Sequence, residues 1–147
     1  MPGTKKPVSV LVLIHTPNLE VLLLERTAHP GFWQSVTGSQ EGDESLCHTA
    51  CREVFEETGI RMTSGQLHDW KTINRYEIFL EWRYRYPEGV THNHEHVYSL
   101  CVPHATPVTL HATEHKDQCW LPWKEAASRV FSWSNRDAIL MLPLLRR

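Results

Sequence analysis

The sequence predicts a single α/β (α+β) domain, arranged as an α/β/α sandwich around a mixed β-sheet. Two kinds of observation support this fold class. Apolar and β-branched runs typical of strands occur both before and after a central amphipathic segment, and two further helical segments follow the later strands. The chain has 147 residues, enough for one well-packed core, without an internal repeat or linker. We therefore expect one domain over residues 1–147.

The N-terminal elements follow from local patterns. Residues 8–14 and 21–24 are apolar runs on either side of a Thr-Pro-Asn turn, which predicts a β-hairpin. A loop then leads to the amphipathic helix. After this helix, the aromatic and β-branched region over residues 69–86 is predicted as a long strand that ends at Pro87 and Gly89.

The C-terminal third is predicted to contain two strands and two helices. Residues 97–102 are the expected hairpin partner of the long strand, and residues 118–121 form another strand. Pro122 is suited to start a helix over residues 123–130, and a last helix spans residues 135–142. Helices before and after the later strands complete the predicted sandwich.

Charge and composition favour a small anionic substrate over a nucleic acid. The 15 basic and 17 acidic side chains give a formal net charge of −2 and an isoelectric point near 6.5. A protein that mainly contacts a nucleic-acid backbone usually carries a basic excess. The phosphates of a small molecule can instead be neutralised by a metal ion and a few cationic side chains.

The chain is predicted to be cytoplasmic, with no membrane partner. The apolar run over residues 8–14 is too short to span a bilayer, and we expect no secretory leader. The cysteines show no paired C-x-x-C spacing and therefore fit best as reduced thiols: Cys47, Cys51, Cys101 and Cys119.

The most informative segment spans residues 38–60, where a glycine-framed loop leads into a helix that carries Glu53, Glu56 and Glu57. Like charges three and four positions apart destabilise a helix by about 0.2–0.5 kcal/mol per pair. A hard divalent cation relieves this repulsion, and Mg²⁺ or Mn²⁺ prefers oxygen ligands of this kind. The carboxylates therefore predict a metal site.

A helical projection separates the three carboxylates. One arc of roughly 140° should face the core, and it holds Leu46, Cys47, Ala50, Cys51, Val54 and Thr58. Glu53 and Glu57 lie about 40° apart at the border of this arc, whereas Glu56 lies one turn after Arg52. Glu53 and Glu57 are therefore the better metal pair, and Glu56 is either an outer ligand or a partner of Arg52.

The ends of this helix are also predicted. Asp43 or Ser45 can cap its start, because short polar side chains accept hydrogen bonds from the first free backbone amides. Gly59 follows the last apolar position, where a left-handed residue often ends a helix.

Gly38, then five residues, Glu44, seven residues and the string REVFEETGI match every fixed position of the Nudix box, so the chain is identified as a member of the Nudix hydrolase superfamily. The box covers residues 38–60. This resemblance implies an α/β/α sandwich and a Mg²⁺-dependent hydrolase that cleaves a diphosphate linkage, with Mn²⁺ as a possible substitute.

Segments outside the box resemble the bacterial dihydroneopterin triphosphate pyrophosphohydrolases, a Nudix group of early folate synthesis that is also described as acting on dATP. These segments are KKPVSVLVLI, LLLERTAHPGFWQSVTGS, YEIF, RYRYPEGVT, TEHKDQCWL and SWSNRDAI. The resemblance implies hydrolysis of dihydroneopterin triphosphate to dihydroneopterin monophosphate and pyrophosphate. The expected partner is thus a small-molecule triphosphate.

The resemblance also implies site residues. The metal ligands are Glu53, Glu57 and Glu114, with Glu77, Glu81 and Glu95 as rivals for the third position. The substrate contacts are Lys5, Arg26, Thr37, Tyr76, Glu77, Ile78, Phe79 and Ser132. Their chemistry is suitable: cationic side chains neutralise phosphate, aromatic rings can stack on a flat heterocycle, and the Ser132 hydroxyl can bond a ring edge or cap the final helix.

The catalytic residues are predicted to be Glu53, Glu56 and Glu57, and the general base stays open among Glu53, Glu56, Glu114 and a hydroxide on the metal. Two other functions also stay open. One is hydrolysis of deoxynucleoside or oxidised nucleoside triphosphates in pool sanitation, and the other is a non-catalytic module of the same fold that binds a nucleotide-like ligand. Oligomeric state is not predicted.

Overall fold

A mixed β-sheet forms the centre of the computed structural model, which describes residues 3–145. Its seven strands within this range are β1 Val8–His15, β2 Glu20–Arg26, β3 Trp33–Gln34, β4 Val36–Ser39, β5 Leu67–Glu77, β6 His92–Cys101 and β7 His115–Pro122. The main path runs β3-β2-β1-β6-β5, while β4 pairs with β1 and β7 with β2. Only β1 and β6 are parallel neighbours in the described sheet.

Helices cover both faces of this sheet. They are α1 Leu46–Thr58, α2 Trp123–Arg129 and α3 Trp133–Leu145. Alternate residues of β1 separate the two cores: Val10 and Val12 pack with Ala50 and Val54 of α1, while the opposite face packs against α2 and α3 through Leu11, Leu13, Ala126 and Ile139. The predicted α/β/α sandwich with a mixed sheet is confirmed.

The predicted ends of α1 are also confirmed. The Ser45 hydroxyl accepts a hydrogen bond from the His48 amide at 3.1 Å, which caps the start of the helix. Gly59 follows the last helical residue with φ = 75° and donates its amide to the Phe55 carbonyl. This left-handed backbone favours glycine because it has no Cβ. The helix therefore holds its acidic side chains at fixed positions.

The long strand predicted over residues 69–86 is wrong in its second half. Strand β5 ends at Glu77, and a 3₁₀ helix follows over Leu80–Arg85. Its Trp82 ring packs against Phe79 and Phe131 rather than continuing the alternation of a strand. Consequently the chain turns back, and the Arg85 carbonyl accepts a hydrogen bond from the Lys5 amide at 3.0 Å.

Other differences concern pairing and length. Strands β1 and β2 pair only next to their turn, at His15 and Val21, because β4 pairs with β1 over residues 9–12 and β7 pairs with most of β2. The predicted pairing of β5 with β6 is confirmed, and β6 begins five residues earlier than predicted. Short strands β3 and β4 were not predicted. None of the helices between residues 3 and 145 has the length and apolar character needed to cross a bilayer.

Candidate active site

A cavity of about 1080 Å³ lies where the segment before β1, strands β4 to β6 and the start of α3 meet. Every predicted substrate contact lines it: Lys5, Arg26, Thr37, Tyr76, Glu77, Ile78, Phe79 and Ser132. Glu53 and Glu114 line it as well. Glu57 lies one helical turn beyond Glu53 and is buried; neither it nor the exposed Glu56 is among the residues that line the cavity. The fold thus brings residues from distant segments to one cavity.

Glu53 and Glu57 form a buried acidic pair on α1, with 9% and 1% of their surface exposed. Neither carboxylate oxygen of Glu57 has a hydrogen-bond partner within residues 3–145. Burial, together with the neighbouring Glu53 and Glu114 carboxylates, raises the pKa of Glu57 well above its usual value. Burial also raises the pKa of Glu53. Such a pair is unfavourable unless a cation neutralises it.

His115 lies next to this pair without neutralising it. Its Nε2 atom is 3.8 Å from Glu57 Oε1, and its side chain is almost fully buried. Burial and the nearby positive charge of Arg26 lower the pKa of His115 to about 4. The ring is therefore uncharged at neutral pH, and no Lys or Arg among residues 3–145 forms a salt bridge with Glu57.

The donor set fits a hard divalent cation. Carboxylate oxygens without protein partners are the ligands that Mg²⁺ and Mn²⁺ prefer. Among the side chains of residues 3–145, no group of three His, Cys, Asp or Glu is arranged to hold a metal ion, so Glu114 does not complete a preformed triad with Glu53 and Glu57. Mg²⁺ commonly takes only one or two carboxylates and completes its shell with water and substrate phosphates.

Arg52 fixes the position of Glu53. Its Nη1 atom donates to Glu53 Oε1 at 2.7 Å and to Glu56 Oε1 at 3.2 Å. Its Nη2 atom donates to Glu44 Oε1 at 2.7 Å and to the Ser39 carbonyl at 3.0 Å. This hydrogen bonding lowers the pKa of Glu44 to about 2. The sequence indicated only the pairing with Glu56; the contacts with Glu44 and Glu53 show that Arg52 ties the loop to the helix.

Replacing Arg52 with alanine is expected to lower the free energy of unfolding by about 2 to 3 kcal/mol, because Glu44 and Glu53 lose charged hydrogen bonds in a mostly buried setting. Urea denaturation measures this change. The matched control is Arg136→Ala, which breaks an exposed pair with Asp137 and should cost less than about 1 kcal/mol. Equal losses in the two variants would show that Arg52 has no special structural role.

Gly38 provides the close approach between the loop and α1. A Cβ atom at this position would overlap the side-chain carboxyl group of Glu53. The strand β4 that contains Gly38 pairs with β1, so its backbone cannot easily move away. Only glycine therefore allows Glu53 to lie where it does.

A cationic cluster of Lys5, Arg26 and Arg85 lines the same cavity. The pKa of Lys5 is lowered mainly by burial and, to a smaller extent, by repulsion from Arg85 and Arg26. Burial and Arg85 likewise lower the pKa of Arg26, whose guanidinium lies 5.0 Å from the centre of the Trp82 ring. None of the salt bridges formed within residues 3–145 involves these three side chains. The cluster is thus suited to an anionic ligand.

The predicted contacts of the segment 76–79 differ in setting. The Tyr76 hydroxyl accepts a hydrogen bond from Asn93 Nδ2 at 2.9 Å, which fixes the Tyr76 side chain next to β6 at the cavity wall. Ile78 is buried, Phe79 is 50% exposed, and Glu77 forms a salt bridge with Arg83 at 3.2 Å. Phe79 is therefore the more accessible of the two aromatic rings for stacking.

Ser132 lies at the start of α3, where its hydroxyl accepts a hydrogen bond from the Asn135 amide at 3.2 Å. It also lines the cavity. Both expectations for this residue, a cap and a cavity-lining hydroxyl, are compatible with this position.

Several lining residues were not predicted as site residues: Gln34, Arg85, Asn93, His115 and Asn135. For Glu95, the sequence predicts only a rival metal ligand. The available signal was the strand period at the start of β6, where Asn93 and Glu95 alternate with histidines and therefore share one face. Arg85 had no such signal, because its position depends on the 3₁₀ helix.

Comparison with known proteins assigns the chain to a family. The chain matches the NUDIX domain family over residues 5–142. It is 44% identical over 138 residues to the dihydroneopterin triphosphate diphosphatase of Escherichia coli K12, which covers 92% of this chain and 91% of that protein. The protein of the same name from Haemophilus influenzae is 40% identical over 134 residues, covering 89% and 84% of the two chains.

A solved structure, that of the E. coli dihydroneopterin triphosphate pyrophosphohydrolase, superposes with a TM-score of 0.88 at 41% identity and covers 97% of this chain and 98% of that one. Both the family match and these relatives extend over nearly the whole chain, beyond the acidic helix that first suggested them. The chain therefore belongs to the NUDIX domain family.

Proposed function

We propose that this protein hydrolyses dihydroneopterin triphosphate to dihydroneopterin monophosphate and pyrophosphate, using Mg²⁺ or, as a substitute, Mn²⁺. The name carried by relatives of 40% and 44% identity supports this substrate. Nudix hydrolases generally need a divalent metal. The reaction belongs to folate biosynthesis, and dATP is proposed as a second substrate because it carries the same triphosphate.

The observation that carries the proposal is the meeting of opposite charges in one cavity. Within residues 3–145, neither carboxylate oxygen of Glu57 has a hydrogen-bond partner. The cationic cluster of Lys5, Arg26 and Arg85 lines the cavity near Glu53 and Glu114 but forms no salt bridge in this part of the chain. A polyphosphate with a divalent cation supplies both missing charges. A binding module would not need a buried acidic pair that destabilises it in the absence of metal.

The residues have distinct roles in the proposed reaction. Glu53 and Glu57 hold the metal, and Glu114 is the proposed further ligand from the cavity wall. When bound, a divalent cation neutralises phosphate charge and lowers the pKa of a water molecule. The cationic cluster orients the triphosphate and stabilises the charge that develops on the leaving pyrophosphate.

The hydrolysis breaks the bridge between the α- and β-phosphates and adds the elements of water. A carboxylate that accepts the proton from water must face the cavity. Glu53 and Glu114 do so, whereas Glu56 points to Arg52 outside the lining. We therefore assign the general base to Glu53 or Glu114 and give Glu56 a positioning role through Arg52.

A cytoplasmic location is proposed on the basis of the four cysteines. All of them, Cys47, Cys51, Cys101 and Cys119, are free thiols. A reducing compartment keeps such thiols from pairing.

The test is a product assay with the purified protein, Mg²⁺ and, separately, dihydroneopterin triphosphate and the four deoxynucleoside triphosphates. We expect equal amounts of pyrophosphate and monophosphate, no orthophosphate, and loss of turnover in EDTA. Dihydroneopterin triphosphate should give the highest kcat/KM. Turnover of dATP alone would contradict the pterin substrate while leaving the reaction class intact, and absence of any turnover would favour a binding module.

A further inference from the structure

Two buried polar side chains of β6 line the cavity without a role in metal or phosphate binding. Asn93 is 3% exposed and Glu95 is 4% exposed. Because residues two apart share a face of a strand, both point to the side of the sheet where Val97 packs against α2 and α3. Glu53 and Glu57 belong to α1, on the opposite side. Asn93 and Glu95 are thus candidates for contacting the ring of a ligand.

Asn93 presents a hydrogen-bond acceptor that has no partner. Its Nδ2 atom donates both hydrogens, to the Ser9 hydroxyl at 2.7 Å and to the Tyr76 hydroxyl at 2.9 Å. These two bonds fix the orientation of the amide. Its Oδ1 atom is buried and finds no donor anywhere in the described part of the chain. A buried acceptor without a donor is costly, so a ligand donor would be favourable here.

Glu95 adds a second acceptor on the same face. Asn74 Nδ2 donates to Glu95 Oε1 at a long distance of 3.5 Å, and the Ser134 hydroxyl is a further neighbour. The salt bridges formed among residues 3–145 do not include Glu95. Because a carboxylate can accept about four hydrogen bonds, these neutral partners leave part of its capacity unused.

Two acceptors on one face of a strand, two residues apart, favour a ligand edge made of donors. The 2-amino-4-oxopyrimidine half of a pterin has this edge, since its ring N3–H and its 2-amino group point the same way. Guanine carries the same edge, whereas adenine places an acceptor nitrogen next to its amino group. Tyr76 and the partly exposed Trp133, whose ring centres are 6.4 Å apart, line the cavity beside this site and suit a flat ring.

We propose that Glu95 and Asn93 form the specificity site for the heterocycle, accepting hydrogen bonds from the N3–H and 2-amino groups of the pterin. This inference rests on the proposed function, because it names the ring that the triphosphate carries. Glu95 is thereby a substrate-binding residue rather than a metal ligand.

The test compares wild type with Glu95→Gln on dihydroneopterin triphosphate, dGTP and dATP at saturating Mg²⁺. A glutamine amide replaces one acceptor by a donor, so it opposes the pterin and guanine edges and matches the adenine edge. We expect the ratio of kcat/KM for dihydroneopterin triphosphate to that for dATP to fall at least about tenfold, mainly through KM. The ratio of dGTP to dATP should fall in the same way.

The matched control is Glu88→Gln, an exposed glutamate outside the cavity, which should leave both ratios within about twofold of wild type. Equal loss of efficiency on all three substrates in Glu95→Gln, or unchanged ratios, would overturn the proposal. If wild type ignored dihydroneopterin triphosphate while the dGTP to dATP ratio still fell, the proposed function would fail but the assignment of Glu95 would stand.

A measurement on the wild-type protein avoids any dependence on the folding of the variant. Free pterin and lumazine, which has an oxygen in place of the 2-amino group, are compared as inhibitors of dATP hydrolysis. Pterin should inhibit at a concentration at least about tenfold lower, because lumazine turns an acceptor towards Asn93 and Glu95. Equal inhibition by the two compounds would contradict the proposal.

Discussion

Replacing Glu57 with glutamine is expected to lower kcat by about a thousandfold or more, because an amide cannot replace the charge that the proposed metal site requires. The change preserves shape, so the fold should persist. Steady-state assays at saturating Mg²⁺ measure the effect. Glu125→Gln, on the exposed side of α2, is the matched control and should retain wild-type activity. Activity of Glu57→Gln near that of wild type would exclude Glu57 as a metal ligand.

Although Glu57→Gln is expected to lower kcat, the same substitution is expected to raise the free energy of unfolding of the metal-free protein. Burial raises the pKa of Glu57 above the usual 4.5, so its contribution to stability is complete below pH 4.5 and is lost as pH rises through the raised value. Glutamine does not titrate. In EDTA at pH 8, Glu57→Gln should therefore be more stable than wild type by about 1 to 3 kcal/mol. Melting curves at pH 5 and pH 8 test this; a less stable variant at pH 8 would contradict it.

Gly38→Ala is expected to lower kcat/KM by about a hundredfold, because the new methyl group would overlap the Glu53 carboxyl group and displace it from the cavity. Displacement of a catalytic group by about 1 Å is sufficient for a loss of this size. The loss should appear in kinetic assays of a protein that still melts cooperatively.

Gly65→Ala is the matched control for this substitution, since a Cβ at Gly65 would lie 3.9 Å from the Thr63 hydroxyl, its nearest neighbour outside the adjacent residues. It should keep wild-type activity. If Gly38→Ala were equally active, the close packing of the loop on Glu53 would not be needed for catalysis.

The acidic helix could be predicted in detail because its information is local. The helical period of α1 placed Glu53 and Glu57 at the border of the buried arc, and both are buried. The cap at Ser45 and the left-handed end at Gly59 were also encoded in single residue types with strong positional preferences. Local patterns of this kind depend little on the rest of the fold.

The 3₁₀ helix over Leu80–Arg85 could not be predicted, because aromatic composition alone does not distinguish a strand from a packed turn. The turn over these residues depends on the Trp82 ring, which contacts Arg26 and Phe131, two residues distant in sequence. Arg85 joins the cationic cluster only as a result of this turn. The position of Arg85 in the cavity wall therefore depends on tertiary packing and cannot be predicted from the sequence pattern.

The site residues on β6 could be predicted only in part from the sequence. Alternation predicts that Asn93 and Glu95 share a face of β6. It does not predict that this face packs against α3 at one end of the strand and lines the cavity at the other. That depends on the parallel pairing of β6 with β1, which brings Ser9 opposite Glu95. Parallel neighbours distant in the sequence carry no local signal.

The central claim is that Glu53 and Glu57 hold a divalent cation next to the triphosphate. Its most direct test is a crystal structure with Mn²⁺ and a dihydroneopterin triphosphate analogue whose α–β bridge is a methylene group, with manganese located by anomalous scattering. We predict a manganese peak within about 2.5 Å of carboxylate oxygens of Glu53 and Glu57 and of phosphate oxygens. Bound analogue with manganese elsewhere, and both carboxylates free of metal, would contradict the claim.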